Sequence, residues 1–328
     1  RRGAELALNL FIDVFHPNSA DRHVVFLPFA NYQQRQQIYL ALHCGVNLVV
    51  CGWPQAMRAI RRERATFLLA PPALYENMLS VAEEGGLSLT TLFGGEVRFL
   101  ITGMAAIRPR VMWAYWDAGL KLLEGYGLTE AGIIACNTVD RYRLGTVGSV
   151  LDPAAFRLSE EGEVLIRQPH PLSLGYLDAE DANSPFEPDG TIRTGDQGRL
   201  DEDGFLILEG RMKDMIALPS GKKLNPSDIE QLLLRLPGVE DAVALDNGAG
   251  VTAVLNASSE VSDASIRMAL RGLPGHIDAA GAISQIIFTN MPLSTNPAFS
   301  TANMKLNRRL VGRHFLGAAE SDEGRGLG

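Results

Sequence analysis

Two acidic side chains stand where glycine lets the backbone turn. Asp196 closes Thr194-Gly195-Asp196, and Glu130 closes Tyr126-Gly127-Leu128-Thr129-Glu130. An ionised carboxylate accepts at both oxygens and can take two donors at once. A hydroxyl next to a carboxylate, as in Thr129-Glu130, can reach a phosphate oxygen and hold a hard cation. Gly127 allows a close backbone approach. Further along, Gly210-Arg211-Met212-Lys213-Asp214 gathers charge directly after the short apolar strand Phe205 to Leu208 and reads as a joint between two domains. Near the end, Thr301-Ala302-Asn303-Met304-Lys305-Leu306-Asn307-Arg308 carries two cations. Each stretch also has a plain structural reading: a hairpin and a solvated linker, a turn with Thr129 as N-cap, a basic helix with a solvated Lys305.

The elements that must position these groups follow from periodicity. Leu6 to Phe15 predicts a helix, Val24 to Phe29 a strand stopped by Pro28, and Gln33 to Leu42 a helix. Val46 to Cys51 predicts an apolar strand covered on both faces. Ala56 to Arg64 reads as a basic helix, Thr66 to Ala70 as a strand, and Pro71-Pro72 opens a helix at Leu74 to Glu84. The strand Val97 to Ile101 runs into Thr102-Gly103-Met104, and Pro109 opens another helix. This alternation predicts an α/β fold with an open sheet over residues 1–144. Ligands of such sheets sit beyond the carboxyl ends of the strands, where Gly103 and Tyr126 to Glu130 fall. From 145 to 210 the pattern is all-β, a small barrel-like subdomain in which Gly204 turns one strand into the next. After it, 211–316 predicts a compact α+β domain. There Asn225 is an N-cap, Pro226 takes the first helical position, Asp228 can reach back, and Ile229, Leu232, Leu233 and Leu236 form one apolar stripe. The Gly-, Ala- and acid-rich stretch 317–328 predicts a disordered tail.

The totals restrict the function class. The chain has 328 residues, 46% hydrophobic and 21% charged, with a net charge of -8, an ordinary globular composition. The acidic balance argues against a broad nucleic-acid surface and leaves room for a local basic patch. Three cysteines, Cys44, Cys51 and Cys136, fit neither a disulfide framework nor a metal site, so a reducing, cytoplasmic setting is expected. The six histidines show no metal-ligand spacing. No stretch is long and apolar enough to span a bilayer, while peripheral membrane contact stays open.

Four stretches together carry a resemblance. Tyr126 to Glu130, Thr194 to Asp196, Gly210 to Asp214 and Thr301 to Arg308 occur in the order and rough separation found in the acyl-adenylate-forming (AMP-forming) enzymes. The chain resembles that superfamily over nearly its whole length. Ser220-Gly221-Lys222-Lys223-Leu224-Asn225-Pro226-Ser227-Asp228-Ile229-Glu230 looks most like the long-chain fatty acyl-CoA synthetase branch. The resemblance implies a ligase that converts a carboxylic acid and ATP to an acyl-adenylate, then hands the acyl group to coenzyme A. It implies Thr129 and Glu130 on phosphate and magnesium, Asp196 and Arg211 on the ribose, and Tyr126 and Gly103 against adenine. It implies Lys305 as the cation bridging the acyl carboxylate and the α-phosphate. Lys213, with Asp214 beside it, would be a hinge whose rotation withdraws Lys305 and brings Gly221 in to form the thiol tunnel.

The sequence departs from the family in three places. Met304 stands where a glycine usually precedes the lysine, a departure that long-chain synthetases share. Asn31 stands where related enzymes often carry histidine, and no acid follows Phe29 closely, which disfavours an amino-acid substrate and fits a fatty or other plain acid. The glycine-, serine- and threonine-rich phosphate loop would stand shortly before Arg1, so a partial chain, or one that has lost ATP activation, is expected. The alternatives are an acyl-AMP ligase that loads a carrier protein and a non-catalytic acyl- or nucleotide-binding module.

Overall fold

The computed structural model describes residues 2–176, 184–218, 223–271, 281–294, 296–299 and 306–317. The chain divides into two compact units, Arg1–Glu209 and Gly210–Gly328.

The first unit opens with α1 (Arg2–Phe15), β1 (Arg22–Val25), α2 (Tyr32–Cys44), β2 (Asn47–Val50), α3 (Ala56–Glu63), β3 (Phe67–Ala70), α4 (Pro72–Gly85) and α5 (Leu89–Leu92). It continues with β4 (Phe99–Thr102), α6 (Pro109–Asp117), β5 (Leu122–Leu128), β6 (Gly132–Cys136) and β7 (Ser149–Val150). Prolines at the first turns of α4 and α6 start these helices, because the missing amide is one the helix leaves unpaired anyway. Strands β3, β4 and β5 run parallel, β6 pairs antiparallel with β5, and β7 pairs antiparallel with β6. Strand β1 pairs in parallel with β2, and backbone bonds tie Arg22 to Thr66 and Thr66 to Arg98. One face of this sheet packs Leu68, Leu100 and Leu122 against α3, α4 and α6 through Ile60, Tyr75 and Tyr115. The other packs Phe67, Leu69, Ile101 and Leu123 against Phe11 of α1 and Leu40 of α2.

Strand β2 is a correction to the sequence reading. It was expected to be covered on both faces, yet Asn47 and Val50 are exposed. Among the described residues it pairs only with β1, so its apolar run fills an edge rather than a covered centre.

Strands β8 (Phe156–Leu158), β9 (Glu163–Ile166), β10 (Ile192–Leu200) and β11 (Leu206–Arg211) form an antiparallel sheet in the order β11-β10-β9-β8. Backbone bonds between Val147, Gly148 and Leu206 join its β11 edge to the segment entering β7. The core between the sheets holds Tyr126, Ile134, Val164, Ile192 and Leu206. The β10–β11 turn forms as its residues require: Gly204 takes φ 79°, and the Asp201 carboxylate accepts from the amides of Asp203 and Phe205.

The second unit contains β12 (Ile216–Ala217), β13 (Lys223–Leu224), α7 (Pro226–Leu233), β14 (Val239–Asp246), β15 (Val251–Ala257), α8 (Asp263–Arg271), β16 (Ile283–Thr289) and α9 (Arg308–Leu316). Asn225 caps α7 by accepting from the Ser227 amide, and its own amide side chain reaches Asp228. The stripe Ile229, Leu232, Leu233 and Leu236 is buried against the sheet β14-β15-β16. Gly317 caps α9 with φ 61°, and the rest of the expected tail lies outside the described residues. No helix among the described residues is long and apolar enough to cross a membrane.

Candidate functional site

The sequence-selected residues of the first unit meet at the carboxyl ends of β4 and β5. Gly103 follows β4, and a Cβ built on it would lie 2.9 Å from the Gly125 carbonyl oxygen, so only glycine lets the loop pass β5 this closely. The next residue, Met104, holds φ 71°, a strained value for a side chain of its size. One residue along β5 from Gly125, the Tyr126 ring is buried, and its hydroxyl donates to Asp196 Oδ2 at 2.7 Å, a contact between positions 70 residues apart.

Asp196 is aimed by the irregularity of its own strand. The β9–β10 register shifts between Arg193 and Gln197, and such a bulge redirects side chains. Gly195 takes φ 69° within it. The turn is braced from β9: Glu163 accepts from the Gly195 amide at 3.0 Å, and Thr194 donates its hydroxyl to the Val164 carbonyl at 2.8 Å. Arg193 pairs with the other Glu163 oxygen. Thr194 and Glu163 hold the turn, which leaves Asp196 as the group presented.

Thr129 and Glu130 occupy the turn between β5 and β6, Thr129 exposed and Glu130 half-buried. The Tyr176 hydroxyl donates to Glu130 Oε1, and the Ser173 amide donates to the Glu130 carbonyl at 3.3 Å. Gly127 makes its close approach within the fold: a Cβ there would lie 2.3 Å from the Gly132 carbonyl oxygen on β6. One carboxylate beside an exposed hydroxyl fits magnesium, which is held through one or two carboxylates plus substrate phosphates and water. No group of three or more candidate metal ligands occurs among the described residues, and Glu130 is the carboxylate at this turn that could hold the ion.

In the second unit, Arg211 ends β11 and is exposed, and Lys213 and Asp214 lie exposed in the short 3-10 turn Met212–Asp214. Lys305 and Gly221 lie outside the described residues. Three positions after Lys305, Arg308 opens α9 and grips α7. Its guanidinium reaches Glu230 Oε2 at 2.6 Å and Oε1 at 3.1 Å, and Ser227 Oγ at 3.2 Å. Glu230 Oε1 also accepts from the Ala244 amide at 3.0 Å.

Sequence reasoning passed over two features. Glu124 lies two residues before Tyr126, surrounded by protein yet still reached by water, and burial pushes its carboxyl up to about 7. Its position directly before Gly125-Tyr126 was the available signal. The other is the start of α2, where Tyr32, Gln33, Gln34 and Gln37 bury polar atoms. The signal was Tyr-Gln-Gln-Arg-Gln-Gln at the head of a helix packed against a sheet.

A family model described as AMP-binding enzyme matches residues 4–177. A Mycobacterium tuberculosis ligase named for a methyl-dioxo-octahydroindenyl propanoyl:CoA is 34% identical over 239 residues, 69% of this chain and 46% of that protein. The long-chain-fatty-acid--CoA ligase FadD15 of Mycobacterium bovis is 36% identical over 158 residues, 48% of this chain and 26% of that protein. The chain therefore spans less than half the length of these two curated relatives. The crystal structure of ATP-bound MatB from Rhodopseudomonas palustris shares the fold with a TM-score of 0.77 at 23% identity, covering 95% of this chain and 64% of that one.

Proposed function

The chain belongs to the AMP-binding enzyme family, and from that membership we propose that the protein it represents is an AMP-forming acid–thiol ligase. It joins a carboxylic acid to ATP as an acyl-adenylate with release of pyrophosphate, then transfers the acyl group to the thiol of coenzyme A. The observation that carries this reading is the bond between Tyr126 and Asp196 beside Gly103, which brings three separate motif stretches to the carboxyl ends of β4 and β5. Ligands of open α/β sheets bind at such strand ends.

The roles follow from the chemistry of the groups. Asp196 accepts hydrogen bonds from the two ribose hydroxyls, and the Tyr126 hydroxyl fixes its orientation. Thr129 donates to a phosphate oxygen. Glu130 is the residue that would hold magnesium, which when bound neutralises phosphate charge. Lys305 places its ammonium between the acyl carboxylate and the α-phosphate as negative charge grows there. Arg211 adds a donor at the ribose. Lys213 and Asp214 let the second unit turn, so that the Gly221 segment replaces Lys305 for thiol attack. A lysine that acts in one half-reaction needs positioning only for that step, which is what a mobile unit supplies.

The relatives' names span a long-chain fatty acid and a dioxo-substituted propanoyl group, so they support a carboxylic acid and no narrower class. The full-length protein tests the reading through its two half-reactions. Acid-dependent exchange of pyrophosphate into ATP should occur, and Lys305→Ala should slow it ~100-fold, the typical cost of one preorganised charge-stabilising group. Thioester formation from supplied acyl-adenylate should persist in that variant. Equal loss in both half-reactions would overturn the alternation of Lys305 and Gly221, and absence of exchange with any acid would overturn the ligase.

A further inference from the structure

Unpartnered polar atoms are concentrated at the start of α2. Among the described residues, five of the eight buried side-chain atoms without a hydrogen-bond partner belong to it: Tyr32 Oη, Gln33 Oε1, Gln34 Nε2, and Nε2 and Oε1 of Gln37. Gln34 and Gln37 are as deeply buried as Leu40 on the same helix. Leaving such a group unpaired costs about 1–3 kcal/mol, so five on two turns of one helix call for a partner that the described residues do not supply.

Their placement says what the partner is. Gln33 and Gln37 are four residues apart, and Ala41 continues their face. Ala41 and Leu40 pack on Phe67, Leu69 and Ile101 of the sheet. At the other end of the helix, Asn31 caps α2 and its side-chain amide donates to Met104 Sδ at 3.3 Å. The glutamine face therefore lies between the apolar sheet packing and the Gly103-Met104 loop, at the end of the sheet where Tyr126 and Asp196 meet. Gln34 is anchored there, since its Oε1 accepts from the amides of Phe26 and Leu27 at 3.1 and 3.2 Å. Gln37 has no such anchor. Burial holds the Tyr32 phenol up to about 12, so it remains a neutral donor.

We propose that Tyr32, Gln33 and Gln37 form a hydrogen-bonding wall of the acyl compartment, and that the acid activated carries ketone or hydroxyl groups on its body rather than a plain alkyl chain. This rests on the acyl-adenylate reading above. A plain chain would press methylenes on amide groups that then lose both water and partner, and sites built to hydrogen-bond reject analogues that lack the matching group.

The test is calorimetric binding to the full-length protein of two stable adenylate mimics, sulfamoyladenosines carrying either an octanoyl group or the same chain bearing a ketone near its end. The oxo mimic should bind about 10- to 100-fold tighter. Gln37→Leu should narrow or reverse the preference, and Gln33→Leu, at a less buried position, should move it the same way if Gln37→Leu fails to fold. Equal or tighter binding of the octanoyl mimic by the native protein overturns the polar wall and leaves the ligase standing. A preference unchanged in both variants also overturns it, assigning the glutamines to internal packing. Binding of neither mimic overturns the ligase reading and the wall with it.

Discussion

Two buried glutamates, one in each unit, are treated in opposite ways. Glu230 in the second unit is raised by burial, but Arg308 faces both of its oxygens and the Ala244 amide adds a third donor. Glu124 in the first unit is raised by burial alone, to about 7, and no hydrogen-bond or ionic partner faces its carboxyl among the described residues. Desolvation acts on both; compensation reaches one. A carboxylate that ties two helices together is given every donor it needs. One that lies two residues from Tyr126, where water still reaches it, is left without them.

The largest expected effect breaks the compensated pair. Arg308→Met leaves Glu230 buried without its cation and should destabilise the second unit by about 3–5 kcal/mol in urea unfolding. Adding Glu230→Gln to that variant should recover most of the loss, because the uncompensated charge is removed. A loss below about 1 kcal/mol in the single variant would show that the two glutamates are not differently held.

The uncompensated glutamate should give a pH signature. Its carboxyl titrates at about 7 in the folded chain against 4.5 when unperturbed. Between those values the folded chain holds a proton that the unfolded chain has released, so stability falls as pH rises through the window and levels off above it. At about 1.4 kcal/mol per unit the fall is at most about 3.5 kcal/mol. Glu124→Gln should flatten the melting temperature between pH 5 and 7.5, and an unchanged slope in that variant would remove Glu124 from the comparison.

The smallest effect sharpens what a satisfied carboxylate beside Tyr126 contributes. Tyr126→Phe removes the donor to Asp196 and keeps the ring in its core. Stability should drop by about 1 kcal/mol, the net worth of one hydrogen bond. Nucleotide affinity should drop about tenfold as Asp196 loses its fixed orientation. Loss of stability with unchanged affinity would make the bond a packing feature like that of Glu230.

Much of this protein is legible without its structure wherever the cause is local. Prolines at helix starts, Asn225 as a cap, Gly204 in a turn and the Ile229-to-Leu236 stripe each depend on neighbours a few residues away, and the fold uses them as their chemistry requires. The order of the Tyr126, Asp196 and Gly210–Asp214 stretches is likewise written in the chain. Other features rest on pairings between distant positions. The exposure of β2 depends on which strands neighbour it, and a largely apolar run reads the same at an edge as in a centre. Tyr126 and Asp196 meet across 70 residues, and Arg308 and Glu230 across 78, because sheet register and helix docking bring them there. The unpaired amides of α2 and the bare carboxyl of Glu124 are further still from sequence reasoning. A glutamine or glutamate is polar by type, but only the surrounding packing decides whether water, a protein group or neither can reach it.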